Sequence, residues 1–501
     1  MPDSCLTLAR TENQALALGR FATDFLAGRY GEPGDRPIQR VEQFHLDSVA
    51  CAVSAIACGT NAPGVLRREA FSYPASDPSR GATCFGSTLR VMPEKAVAAN
   101  CAAVREWDAN GTNFGYRPEL GHTRGEFGHN DYYPVIIAAA QVAGADGPTV
   151  LRGMLLVDEI RGRLAEVFSL RAHKIDHVVH GAIASAVVYG AMVGASAEQI
   201  ESAVGLVVAH YIPFRAIRAG EQLSDSKGAS AALAAEMAVL SVRRAVAGFV
   251  GPGDIFRNPQ AIFCLYEKPA RQGKSPFDLT LTVAGDDFAV MGMHFKLGLY
   301  EHQAAGAIQG LLDVLAAEPR FLHDPGQLRA VRITIYEPAF GIIGDPAKRN
   351  PRTRQSADHS MVYIIGTLLR KAFEQGSADW RELMLMPEDY SDAAIFNPLT
   401  RSLMERIEFR HGGPEYDAQY PDGLPTTVEL EHAELGRHSS GLVLYPTGHA
   451  RNTSADLAGL LAYKFQRLAA HGVTDVAGLQ RRISGMQQKT AAEIDAIYDF
   501  Q

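Results

Sequence analysis

Five clusters of this 501-residue chain hold residue types suited to acid–base and anion-binding chemistry. The first, Trp107-Asp108-Ala109-Asn110-Gly111-Thr112, closes a long helical pattern, where Asp and Thr would also serve as turn formers. The second is the Gly- and aromatic-rich stretch 113–133, with His122, His129 and Asp131; loops this long inside compact domains are more often functional than decorative. The third is His173-Lys174-Ile175-Asp176-His177-Val178-Val179-His180. His173 and His177 are four apart and would share a face if the stretch is helical, which is a zinc-like spacing. No Glu follows His173 and spacing places no third ligand, so structural and acid–base roles stand open beside zinc. The fourth is Arg215-Ala216-Ile217-Arg218, then Gly220-Glu221 and Lys227-Gly228 before an Ala-rich helix. Three cations at a helix start would suit a polycarboxylate, and a solvated basic loop is the plainer reading. The fifth is Lys296 with Tyr300-Glu301-His302-Gln303, where Glu301 and His302 also fit as first-turn residues.

The elements that must position these clusters fall into two styles. Up to about residue 265 the pattern is helix after helix, over 14–27, 41–58, 94–107, 149–168, 178–194, 197–210 and 229–248, with Pro93 at a first turn. The uncharged stretch 181–197 is short of the roughly 20 residues of a membrane span and reads as a helix buried on all sides. Residues 267–276, with Lys-Pro, Gly-Lys and Ser-Pro, read as a linker. Beyond it Phe277, Leu279, Leu281 and Val283 alternate with polar residues, as do Val331, Ile333 and Ile335, so both runs read as half-buried strands. Helices are expected at 299–315 and 360–373, and shorter strands at 406–410, 427–432 and 441–445. Helix returns at 454–471. The expected fold is mainly α: an all-helical domain of residues 1–268 and 447–501, with a smaller α+β lid domain, 269–446, inserted into it. A cleft between two such units is a common ligand site.

Composition narrows the class of function. With 47% hydrophobic and 21% charged residues the chain is ordinary globular protein. A formal charge of −8, with both signs interspersed, argues against nucleic acid or an anionic membrane as partner. A few local Lys and Arg still suffice to draw a small anion into one cleft. The N-terminus has an early acid and no basic region before an apolar run, so no signal peptide and a cytoplasmic location are expected. The six cysteines form no CxxC pair, which removes the usual iron–sulfur spacing and leaves reduced core thiols as the reading. Dinucleotide-binding, P-loop and Gly-x-Ser-x-Gly signatures do not occur.

Taken in order, the clusters resemble the MmgE/PrpD family. Gly81-Ala82-Thr83-Cys84-Phe85-Gly86, Ala98-Ala99-Asn100 and Glu106-Trp107-Asp108-x-x-x-Thr112 are similar to the segment leading to that family's Asp-x-x-x-Thr, with His129 in the place of the His that follows. Asp176-His177-Val178 resembles its Asp-His-Val, and 215–221 with Lys227 its lysine region. Asp358-His359-Ser360-Met361-x-Tyr363 resembles a hallmark, and Pro446-Thr447-Gly448 through Asn452 to Lys464-Phe465 the C-terminal signature. The family comprises 2-methylcitrate dehydratases, cis-aconitate decarboxylases and an iminodisuccinate epimerase. The resemblance implies a helical domain with an α+β lid, usually in a homodimer, and no metal or other cofactor. It also implies Asp108, Thr112, His129, His177, Lys227 and Lys296 around a small polycarboxylate. Glu301 and Gln303 look like the dehydratase version of their segment. The chain departs from the family at His129-Asn130-Asp131-Tyr132, which lacks a proline, and in a longer 112–129 loop with Phe114, Tyr116 and Arg117.

The expected activity is therefore a hydro-lyase that dehydrates a tricarboxylate such as 2-methylcitrate, with decarboxylation or epimerisation on the same fold as alternatives. In that scheme His177 and His129 transfer protons. Lys227 and Lys296 stabilise negative charge developing beside a carboxylate. Asp108 orients a histidine or lysine. Thr112, Arg215, Arg218, Glu301 and Tyr363 complete the substrate-binding set.

Overall fold

A computed structural model describes residues 4–113, 128–218 and 222–500 of the chain. Loop residues Phe114, Tyr116, Arg117 and His122, and Gly220 and Glu221 of the basic run, lie outside the described residues.

Among the described residues the first half holds nine long helices: α1 (Gln14–Leu26), α2 (Asp35–Ala57), α3 (Asn61–Phe71), α4 (Pro93–Arg105), α5 (Tyr133–Ala143), α6 (Gly147–Val167), α7 (Val178–Met192), α8 (Ala197–His210) and α9 (Ser226–Val246). Side-chain caps start several of them: Asn13 accepts from Leu16 N, Asp146 from Thr149 N, and Ser196 with Gln199 forms a capping box. Helices α3 and α5 were not foreseen, while most other expected helices appear within a few residues of their predicted ends. The Ala/Gly/Val-rich α7 is buried along nearly its whole length, as a helix apolar on every side must be. It packs on α9, which also packs on α4, so three helix ends that carry candidate residues are held in one core. Glycine makes one contact there possible: a Cβ on Gly181 of α7 would fall 1.9 Å from the ring of Tyr132, which packs flat against the helix.

Strands of the second half form one sheet in the order Gly436–Val443, Thr426–His432, Leu328–Ile335, Ile407–His411. The first two pairings are antiparallel and the last parallel. Helix Ala305–Ala317 covers one face, matched to the alternating burial of Thr426–His432. Strand Leu279–Thr282 forms as expected, but it pairs with Cys5–Leu8 at the start of the chain rather than with this sheet. The predicted helix at 299–315 begins late, at Ala305. Gly298 has φ +133° and Glu301 caps a short 3-10 turn, so the backbone between Lys296 and Glu301 is not helical.

The molecule is mainly α. Among the described residues no single helix is long and apolar enough to cross a membrane; α2 and α3 pass that test only together, and they are bent by 88° at their break. All six cysteines are free, and Cys58 is exposed rather than buried.

Candidate active site

The site begins where α4 ends. Asp108 lies just past the helix in the left-handed region, φ +52°, with its N–H donated to the Arg105 carbonyl at 3.0 Å. A non-glycine residue there is strained, and here the turn drives a carboxylate inward. Asp108 is fully buried and meets four basic groups. Arg105 Nη1 is at 2.6 Å, Lys227 Nζ at 3.5 Å and His359 Nδ1 at 3.4 Å, and Lys296 Nζ donates to its Oδ1. Burial opposes ionisation, yet Arg105, Lys296 and Lys227 outweigh it and hold the carboxyl well below the usual range.

Lys296 distributes its three protons over the Asp108 carbonyl (2.9 Å), the Asp108 carboxylate and His129 Nδ1 (3.4 Å). Lys227 pairs with Asp358 Oδ1 at 2.7 Å. Asp358 also meets His359 Nδ1 at 2.7 Å and Arg354 at 3.1 Å, and Arg354 reaches on to Glu106 Oε1 at 2.6 Å. Donor atoms of Asp108, Asp358 and His359 lie within 4.8 Å of one another, the one metal-like group among the described residues. Their lone pairs face Lys227, Lys296, Arg105 and Arg354, so the charge a cation would neutralise is already neutralised by side chains.

Two histidines face each other across this network, with ring centroids 5.2 Å apart. The strand pair Thr112–Asn113 with Gly128–His129 sets His129 opposite Thr112, and Arg161 holds the His129 carbonyl at 2.8 Å. His177 is the N-cap residue of α7, with Nδ1 3.5 Å from Asp176, which Arg218 clamps through two nitrogens at 2.5 and 3.2 Å. Burial pushes both imidazoles well below their ordinary value; Arg105 and Lys296 add to this at His129, and Arg218 and Arg105 at His177, where Asp176 opposes it. Both rings are neutral at pH 7; His177 keeps Nε2 as a free acceptor, whereas His129 Nδ1 already accepts from Lys296. Burial also raises the Glu301 carboxyl to about 7, helped by Asp108 and opposed by Lys296.

The resulting cleft is tight, about 60 Å³, and partly open to solvent. Among the described residues its wall carries six cations, Arg105, Arg171, Arg215, Arg218, Lys227 and Lys348, with the histidines His129, His177 and His359 and one carboxylic acid, Glu301. The N-terminal ends of α7 and α9 also open on it, through His177 and Lys227, and add positive potential.

Of the predicted residues, His129, His177, Lys227, Glu301, Arg215 and Arg218 are therefore on the wall. Asp108 and Lys296 stand behind it and reach the wall through Lys227, His129 and Arg105. Arg218 is occupied by Asp176 and by Ser230 Oγ at 3.1 Å, so it orients Asp176 rather than waiting for a carboxylate. Thr112 is a backbone partner of His129 and His294, with its hydroxyl donated to the Gly128 carbonyl. Tyr363 is in the core of helix Met361–Gln375, its hydroxyl donated to the Asp389 carbonyl and its ring against Tyr390. The functional residues of that hallmark are Asp358 and His359, five and four positions earlier.

His173 does not share a face with His177, because 171–173 is a 3-10 turn ended by Lys174 at φ +61°. It bonds Glu267 at 3.2 Å and stacks on Tyr266 at 4.8 Å, which ends the zinc reading of the pair. The sequence reading missed Arg105, Arg171, Lys348 and His359. Arg105 had a local signal, three residues before Asp108, and His359 stood in the Asp358-His359-Ser360 hallmark, whereas Arg171 and Lys348 had none. Lys464, from the C-terminal signature, donates to Asp47 (2.6 Å) and to the carbonyls of Ala109 (2.6 Å) and Lys296 (2.8 Å), and so fixes the backbone beside both Asp108 and Lys296.

Comparison with known proteins agrees with this arrangement. The MmgE/PrpD N-terminal domain model matches residues 20–272, and the MmgE/PrpD C-terminal domain model matches residues 300–489. The chain belongs to the MmgE/PrpD family. Both matched stretches contribute to the cleft of this MmgE/PrpD protein: His129, His177 and Lys227 come from the first, Glu301, Lys348 and His359 from the second. It is similar to the 2-methylcitrate dehydratase of Escherichia coli O157:H7, 24% identical over 80% of this chain and 81% of the relative. A probable 2-methylcitrate dehydratase of Saccharomyces cerevisiae is 25% identical over 91% of this chain and 86% of its own. The 2-methylcitrate dehydratase of Salmonella typhimurium is 23% identical over 82% of this chain and 83% of the relative.

Proposed function

We propose that this protein is a hydro-lyase that dehydrates a small tricarboxylate, such as 2-methylcitrate to 2-methyl-cis-aconitate. The observation that carries this reading is the charge of the cleft wall, six cations and one acid among the described residues, in a chain of net charge −8. A trianion is the kind of ligand such a wall compensates. The relatives that bear the name 2-methylcitrate dehydratase point to the same chemistry.

Neutral His177, through its unpartnered Nε2, takes a proton from the carbon beside a substrate carboxylate, and His129, whose Nδ1 accepts from Lys296, stands opposite as the second proton-transfer residue. The freed electron pair becomes the new C=C bond as the C–O bond on the adjacent carbon breaks. The hydroxyl departs as water with a proton from Glu301, which keeps that proton close to neutral pH. Lys227, on the wall, offsets the charge that builds beside the carboxylate. Lys296 and Asp108 act one step back, through the orientation of His129 and Lys227.

No metal takes part in this scheme, and the protein acts as a homodimer. The sheet-bearing part, within 269–446, serves as a lid that brings Glu301, Lys348 and His359 over the helical body. Its moving portion starts beyond Leu279–Thr282, which is stitched to the N-terminal strand.

The test is a panel of 2-methylcitrate, citrate, cis-aconitate and iminodisuccinate, followed by absorbance of a new conjugated double bond, before and after EDTA. Water loss from 2-methylcitrate or citrate that survives EDTA is the expected result. Turnover of cis-aconitate with release of carbon dioxide, or inversion of iminodisuccinate without an absorbance change, would replace the dehydratase reading with one of its alternatives. Activity that disappears with the metal would remove the metal-free scheme.

A further inference from the structure

Arg105 has no role in the scheme above, yet its placement is unlike that of the other buried cations. It is the last residue of α4, 2% exposed, and lines the cleft. Lys227 is taken by Asp358, Lys296 by Asp108 and His129, and Arg218 by Asp176. The Nη1 of Arg105 is ion-paired with Asp108 Oδ1 at 2.6 Å and its Nε is 3.7 Å from Asp131, while Nη2 lacks a hydrogen-bond partner among the described residues. Burial alone would favour loss of the proton; Asp108 and Asp131 offset it and keep the guanidinium charged.

A buried, charged guanidinium with unmade hydrogen bonds is costly unless a ligand accepts them. One more orphaned atom faces the same cleft: His177 Nε2 is buried without a partner, while the Nδ1 side of that ring faces Asp176. A guanidinium N–H donor beside an imidazole acceptor matches a carboxylate attached to a carbon that gives up a proton.

We propose that Arg105 is a carboxylate-binding catalytic residue: its Nη2 donates to the substrate carboxylate next to the carbon whose proton passes to His177 Nε2. The inference rests on the polycarboxylate reading above and adds to it which carboxylate is held, and by what. Negative charge that spreads onto this carboxylate as the proton leaves meets Arg105 at bonding distance, so the same contact serves binding and rate.

Citrate and tricarballylate, which lacks the hydroxyl, are the probes, and calorimetry on the full chain is the measurement. The parent is expected to bind both. R105Q is expected to weaken both by about 10²-fold, the size typical of a lost buried charge pair, and R105K by about 10-fold. R105K keeps a cation for Asp108 and Asp131, so its melting curve separates loss of the contact from loss of the fold. Crystals of the parent with citrate decide the point without any variant: a carboxylate within hydrogen-bond distance of Arg105 Nη2 supports the proposal. A parent that binds neither acid removes the polycarboxylate reading, and this inference with it. A parent that binds both while R105K and R105Q bind equally well overturns this inference alone. Loss confined to citrate would overturn it too, because Arg105 would then contact the hydroxyl.

Discussion

His177 and His173 differ in surroundings more than in type. One faces a cleft through an unpartnered Nε2, the other sits between Glu267 and Tyr266. His177→Gln is expected to lower kcat roughly 10²–10⁴-fold, as for a residue that transfers a proton. His173→Gln is expected to leave kcat within a few-fold of the parent, and equal losses in the two variants would return the pair to a shared role. Glu301 makes a prediction about pH. It must be protonated to donate, so kcat is expected to fall as pH rises through about 7. His177 must be neutral to accept, and burial holds it well below 6.5, so the acidic limb is expected below the ordinary histidine range. Glu301→Gln should lower kcat by about 10²-fold or more and abolish the alkaline limb. An unchanged alkaline limb in that variant would take the proton-donor role away from Glu301.

Among the elements, α7 does two jobs through one glycine. Its N-terminal end presents His177, and Gly181, a turn later, makes room for Tyr132, three residues after His129. Tyr132 also donates to the Val178 carbonyl at 3.3 Å, so the two facing histidines are spaced by a direct helix-to-loop contact. Gly181→Ala places a Cβ 1.9 to 2.2 Å from three atoms of the Tyr132 side chain. Overpacking of this kind typically costs about 1–3 kcal/mol, and it should displace His129 as well as lower stability. The expected result is a lower melting temperature with a drop in kcat larger than any change in KM. A variant as stable and active as the parent would mean that the 128–133 segment is positioned from elsewhere.

For the molecule as a whole, the cleft is shared between chain segments far apart in sequence, and at about 60 Å³ it is tight. In the proposed scheme a tricarboxylate enters by opening of the sheet-bearing part. Crystals with and without citrate are expected to differ in the separation of Lys348 from Arg171 and Arg215, with the four-stranded sheet unchanged internally. Cys5–Leu8 and Leu279–Thr282 should stay paired in both states, since they belong to the stationary side. Identical separations across several crystal forms would speak against a lid.

Most helices were legible because each repeats apolar residues at helical spacing and begins at a recognisable cap such as Asn13, Asp146 or Ser196. The strands Leu328–Ile335 and Thr426–His432 were legible from their alternation. So were His129, His177, Lys227 and Glu301, as charged or titratable residues in unusual company. Partnership was not legible. Lys227 meets Asp358 across 131 positions and Lys296 meets Asp108 across 188, and local pattern holds no record of such pairings. For the same reason Arg218 read as a substrate clamp until Asp176 was seen to occupy it, and Tyr363 read as a site residue although the helix turns it into the core. Strand Leu279–Thr282 showed its own period but not its partner, because a period of two reports a buried face and says nothing of which edge is paired. Sequence by itself determined which residues could do chemistry and which elements would hold them. Tertiary structure decided which charges neutralise one another and which, like Arg105, are left facing the cleft, since that balance depends on distances set only when remote segments meet.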